Sequence, residues 1–233
     1  MKRVKFIGWL LSFVCLVGII SVMMYQDVTP VYSSLPLGDI HVVIDPGHGG
    51  MDAGASYQEV LEKDLSLSIS LKLRDYLVLQ GADVTLTREA DYDLSKPSDT
   101  SVREKKRSDI YKRVKIVEDQ APDLVVSIHL NAIEESIWRG AQTFYYPTNV
   151  EGEKLAASIQ ASLIKRLKNT TREIQAIQGV YLLKQVTVPM ALVEVGFLSN
   201  EKERALLLSE DYQEKVARSI FYGMVNYLST KEK

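Results

Sequence analysis

Apolar residues along this chain come either in short runs or in stripes at helical spacing, and the two kinds alternate. Residues 40–45 carry Ile40, Val42, Val43 and Ile44, the pattern of a buried strand. Between 61 and 79 the apolar positions fall at Leu61, Leu65, Ile69, Leu73, Tyr76 and Leu77. Steps of three and four predict an amphipathic helix, and Gly81 stands where a C-terminal cap is expected. A short strand over 83–87, a polar loop over 88–101 and a basic helix over 102–119 follow. Strands over 123–130 and 142–146, a helix over 151–167 and strands over 179–183 and 190–195 continue the series. Helical pieces at 201–207 and 212–228 close it. Strands alternating with helices predict one α/β domain, a central mixed β-sheet with helices on both faces.

Ahead of this series lies a run of different character. Residues 6–25 are apolar except for glycines and serines, and about 20 such residues can cross a bilayer as a helix. Lys2, Arg3 and Lys5 precede the run, so the N-terminus is expected in the cytoplasm and the rest of the chain exported to the extracytoplasmic side. Residues 21–26 offer no convincing pair of small residues for cleavage, which favours a retained anchor over a removed signal peptide. Phe13 and Val14 before Cys15 argue against a lipidated cysteine. Residues 26–38, with Pro30, Ser33, Ser34, Pro36 and Gly38, have linker chemistry. The expected organisation is an anchor over 1–25, a linker over 26–38 and a folded domain over 39–230.

Composition narrows the chemistry. At 233 residues one sizeable core is the default. A net charge of -2 gives no basic footprint for nucleic acid. A single cysteine rules out an internal disulfide and a multi-thiolate zinc site. Any metal must be held by carboxylates and by some of only three histidines.

Three polar clusters interrupt apolar strand ends. The first runs from Asp45 to Ala55, Asp-Pro-Gly-His-Gly-Gly-Met-Asp-Ala-Gly-Ala, with four glycines in eight positions and His48 among them. Such a loop can turn sharply and pass close to a ligand, and neither a GxxxxGK[ST] nor a GxGxxG phosphate loop is present. The second places Ser127, His129 and Asn131 on one face of a strand end. The third embeds Glu194 in the apolar run 189–197, where a carboxylate without a partner or a task is costly. Two histidines at strand ends suit zinc, and a His2Glu set needs one more carboxylate. Asp52, Glu59, Glu62 and Asp64 are close in sequence. Glu62 opens the predicted helix and can point back toward His48, but spacing alone does not separate it from Glu59. His41 sits at the far end of its strand and reads as structural.

These clusters, with Glu62-Lys63 and Val193-Glu194-Val-Gly-Phe-Leu-Ser-Asn200, resemble the zinc N-acetylmuramoyl-L-alanine amidases of bacterial cell-wall turnover. The resemblance runs over 40–228, with every motif in family order, and is strongest to the germination-specific branch of endospore formers. It implies that His48, Glu62 and His129 bind one Zn2+ and that Glu194 is the catalytic glutamate. It implies hydrolysis of the amide between N-acetylmuramic acid and L-alanine in peptidoglycan, in spore cortex maturation. Expected partners are the muramyl-peptide substrate, the membrane through the N-terminal segment, and an accessory sporulation protein. Arg113 resembles a recurring family arginine of no assigned role. A zinc peptidase using the same ligands and a non-catalytic wall-binding module are the alternatives.

Overall fold

The structure, a computed structural model, describes residue 9, residues 13–18 and residues 35–231. The chain divides into two units, Met1–Leu35 and Pro36–Lys233. In the first, residue 9 and residues 13–18 are helical and exposed. The remainder of the expected anchor and most of the linker lie outside the described residues. Among the described residues no helix is long and apolar enough to cross a membrane.

In the second unit the elements are β1 (His41–Pro46), β2 (Ser56–Tyr57), β3 (Val60–Leu61), α1 (Glu62–Leu79), β4 (Asp83–Leu86), α2 (Val102–Gln120), β5 (Leu124–Asn131), β6 (Gln142–Tyr145), α3 (Val150–Leu167), β7 (Gln175–Ala176), α4 (Tyr181–Gln185), β8 (Met190–Phe197), α5 (Glu201–Leu207) and α6 (Glu210–Lys231). Six strands form one sheet in the order β4-β1-β5-β8-β6-β7. The first four run parallel, β6 is antiparallel to β8, and β7 is parallel to β6. The sheet is mixed, as expected.

Strand alternation sorts the core onto two faces. Val42, Ile44, Leu124, Val126, Ile128, Ala191, Val193 and Val195 point to one face, where the stripes of α1, α3 and α6 cover them. Val43, Val125, Met190 and Leu192 point to the other, beneath Val114 and Val117 of α2 and Leu182 and Leu183 of α4. α2 starts at a capping box: the Ser101 hydroxyl accepts from the Glu104 amide, and the Glu104 carboxylate accepts from the Ser101 amide.

Two local expectations are corrected. The strand expected over 179–183 is the short helix α4, with the Lys184 amide donating to the Val180 carbonyl. An apolar run that short does not distinguish strand from helix; here Leu182 and Leu183 are buried against α2, and the edge position in the sheet is taken by β7. The small hairpin β2–β3, two residues a strand, was too short to read.

Candidate metal centre

Beyond Asp45, at the carboxyl end of β1, the chain turns through three consecutive positive φ values: His48 at 62°, Gly49 at 135° and Gly50 at 57°. Gly49 and Asp52 then exchange backbone hydrogen bonds of 3.0 Å in each direction. This tight return brings the Asp52 carboxylate to 2.8 Å from His48 Nδ1 and turns Nε2 inward, 3.1 Å from Glu62 Oε2. The other Asp52 oxygen holds Lys106 at 2.8 Å. Glycine is required at two points of the loop. A Cβ on Gly47 would lie 2.4 Å from the His129 ring, and one on Gly54 would lie 2.5 Å from both Glu62 Oε2 and His48 Cδ2.

Glu62 is the first residue of α1 and is 2% exposed. Its two oxygens accept from the amides of Ala55 at 2.6 Å and Leu130 at 2.9 Å, so the carboxylate bridges the glycine loop and the end of β5. His129 Nδ1 stands 2.9 Å from Oε1. The two imidazoles meet edge to face, with centroids 5.0 Å apart. Glu59, the sequence rival of Glu62, is exposed in the turn between β2 and β3. His41 hydrogen-bonds Thr85 Oγ1 at the opposite end of β1, 3.1 Å away, as a structural residue would.

Burial opposes ionisation throughout this cluster, yet the pairings prevail. His48 is desolvated, but Asp52 and Glu62 together raise it to about 9. Glu62 is also desolvated, and the bonds to His129 and His48 hold it well below the usual carboxylate range. One donor atom from each of His48, Glu62 and His129 lies within 4.8 Å of the other two. Two nitrogens and an anionic oxygen converging in a desolvated pocket favour a cation between them. The donors are of the His2Glu kind that holds catalytic zinc, and Asp52 supplies the outer carboxylate that orients such a histidine.

Glu194 lies directly opposite His129 in the register of β5 and β8. Its Oε2 is buried and has no hydrogen-bond partner among the described residues. Burial raises its pKa to about 7, helped by the Glu62 charge and opposed by His129 and His48. A family model described as N-acetylmuramoyl-L-alanine amidase matches residues 42–226. The chain belongs to that family. It is 43% identical to the germination-specific N-acetylmuramoyl-L-alanine amidase of Bacillus subtilis over 230 residues, 99% of this chain and 97% of that protein. The CwlD amidase of Clostridioides difficile, solved in complex with the GerS lipoprotein, superposes with a TM-score of 0.81 at 41% identity, covering 82% of this chain and 100% of that one. The catalytic domain of the amidase CwlV from Paenibacillus polymyxa gives 0.71 at 32% identity, covering 82% and 98%.

Within this amidase the site rests on buried polar residues to which the sequence assigned no role. Asp45 accepts from the hydroxyls of Thr87 at 2.7 Å and Ser127 at 2.6 Å, and pairs with Arg113 at 2.7 Å. Burial would raise Asp45, but Arg113 and the hydroxyls hold it down at about 2. Arg113 also donates to the carbonyls of Pro46 at 2.7 Å and His48 at 2.5 Å, which gives the recurring arginine a structural task. Arg88, at the end of the strand expected over 83–87, donates to the carbonyls of Pro46 and Gly47 beside it. Nothing in its polar surroundings in the sequence set it apart.

Proposed function

We propose that this amidase is zinc-dependent and cleaves the bond between the lactyl group of N-acetylmuramic acid and L-alanine, with His48, Glu62 and His129 as metal ligands and Glu194 as the catalytic carboxylate. The observation that carries the reading is the convergence of the three donor atoms beside a buried carboxylate oxygen that no protein group engages. Zinc held there would supply Lewis acidity for the attacking water and the scissile carbonyl. Glu194, desolvated and poised at about 7, accepts the proton of the attacking water and returns it to the leaving amine. Glu62, anchored by two amides, keeps its oxygens fixed toward the histidines, and Asp52 holds His48 with Nε2 inward. Freedom from rearrangement at the moment of reaction is what such anchoring contributes.

Action in spore cortex maturation is part of this proposal, and the likeness to a germination-specific relative supports it. An accessory sporulation protein as partner is supported by the similar CwlD amidase having been solved with a lipoprotein. Export to the extracytoplasmic side rests on the basic residues ahead of the apolar run 6–25, and retention of the anchor on the lack of a convincing pair of small residues at 21–26. The decisive experiment digests purified peptidoglycan with and without a chelator and identifies the new ends by mass spectrometry. Chelator-sensitive release of stem peptides with free N-terminal alanine is expected. Cleavage inside the peptides would make the protein a peptidase, and undiminished activity in chelator would remove the metal.

A further inference from the structure

Arg88 is 1% exposed. All five hydrogen bonds of its guanidinium go to uncharged oxygens: Nε to the Pro46 carbonyl at 3.1 Å, Nη1 to that of Ala90 at 3.1 Å, and Nη2 to the carbonyls of Gly47 and Lys63 at 2.8 Å and to Ser66 Oγ at 3.2 Å. Burying a cation with no carboxylate hydrogen-bonded to it is costly. Burial and the neighbouring charge of Arg113 lower its pKa, against the partial support of the Asp45, Asp91 and Asp109 charges nearby.

The identity of the acceptors says what the cation does. Pro46 ends β1 and Gly47 opens the glycine loop that carries His48, while Lys63 and Ser66 belong to the first turns of α1, which begins at Glu62. One rigid, planar group therefore spans the gap between the backbone segments carrying two of the three metal donors. Two further contacts lace the same seam: Ser66 Oγ donates to the Gly47 carbonyl at 2.9 Å, and Lys63 Nζ to the Gly50 carbonyl at 2.8 Å. Independently, the loop is shaped to admit this side chain. A Cβ on Gly49 would lie 2.4 Å from the Tyr92 carbonyl oxygen, 2.9 Å from Arg88 Cδ and 3.0 Å from Nε.

We propose that Arg88 is a positioning residue of the metal centre: it ties the glycine loop to the start of α1 and so sets the separation of His48 and Glu62. The proposal rests on the zinc reading above. Arg88→Lys, Ser66→Ala and the unaltered protein are compared by chelator-competition titration of zinc, by the visible spectrum of the cobalt-substituted protein, and by thermal unfolding of the metal-stripped protein. Arg88→Lys is expected to lose about tenfold in zinc affinity, the scale seen when groups behind metal ligands are altered. Its cobalt bands are expected to shift at saturating metal, because a lysine ammonium cannot span loop and helix together. Ser66→Ala, which removes one tie, is expected to lose less in the same direction, with metal-stripped melting unchanged within a few degrees. If Arg88→Lys fails to fold, Ser66→Ala carries the test alone. Unaltered zinc affinity and cobalt spectrum in the folded variants overturn the proposal. Failure of the unaltered protein to bind zinc overturns the zinc reading first, and this proposal with it.

Discussion

Two glutamates are embedded in or beside β8, and their hydrogen bonding divides their roles. Glu203 has both oxygens occupied, by the amides of Gly140 and Phe197 at 2.9 Å each, and so pins two loops. Glu194 keeps one buried oxygen without a partner, a cost that a proton-transfer role explains. Glu194→Gln is expected to leave zinc content unchanged, by elemental analysis, while peptidoglycan hydrolysis falls by a factor on the order of 10²–10⁴; full activity would exclude Glu194 from the chemistry. Asp52→Asn keeps a hydrogen-bond acceptor for His48 but discharges it and frees Lys106. Zinc affinity by competition titration is expected to fall by about tenfold. His48 was legible from its glycine-rich loop at a strand end, and His129 and Glu194 as polar residues within apolar strands. Glu62 and Glu59 were not separable, because the hairpin that lifts Glu59 into solvent is too short to register as a pattern.

At the scale of elements, α3 and α6 lie side by side over one face of the sheet, and their approach depends on one glycine. A Cβ on Gly223 would fall 2.5 Å from Ile159 Cα, a backbone atom that cannot swing aside. The Ser158 hydroxyl donates to the Gly223 carbonyl at 2.7 Å at the same crossing. Gly223→Ala is therefore expected to destabilise the domain by about 1–3 kcal/mol, the usual range for overpacking, and thermal unfolding would register it. An unchanged melting temperature would mean that the helices separate at no cost. The helices themselves were readable because α1, α3 and α6 each bury one stripe. The pieces of α4 and β7 were not, since five residues and two carry too little periodicity and the choice between them is made by α2 and β6.

Across the whole molecule, the parallel strands β1, β5 and β8 all end at the same edge, and the glycine loop, His129 and Glu194 meet there. Ligand sites in open α/β sheets lie outside such carboxyl ends. Behind that edge the pair of Asp45 and Arg113, both 2% exposed, joins β1 to α2. Asp45 falls from 3.8 to about 2 on folding. A carboxylate lowered by folding contributes stability that is whole above its unfolded value and is lost as pH falls through the folded one. Between pH 3.8 and about 2 the domain is expected to lose about 2 kcal/mol from this group. Denaturant titrations of the metal-stripped protein across that window, against Asp45→Asn, measure it. A variant whose stability kept the full acid dependence of the parent would show that the loss comes from other carboxylates.

Alternation and spacing by themselves determined the fold class, the mixed sheet with helices on two faces, and the presence of chemistry at His48, His129 and Glu194. These are local signals, since periodicity follows from backbone geometry and a misplaced polar residue is visible beside its neighbours. Tertiary structure shows how Glu62, which spacing left level with Glu59 and the resemblance favoured, faces the histidines; it alone decided that Asp52 orients His48 and that Arg88 and Arg113 both hold the backbone ahead of His48. Those contacts join residues up to 68 positions apart, as Arg113 to Asp45 and Glu62 to Leu130 do. Sequence spacing carries no record of such distances, because they are set by how the sheet and its helices pack.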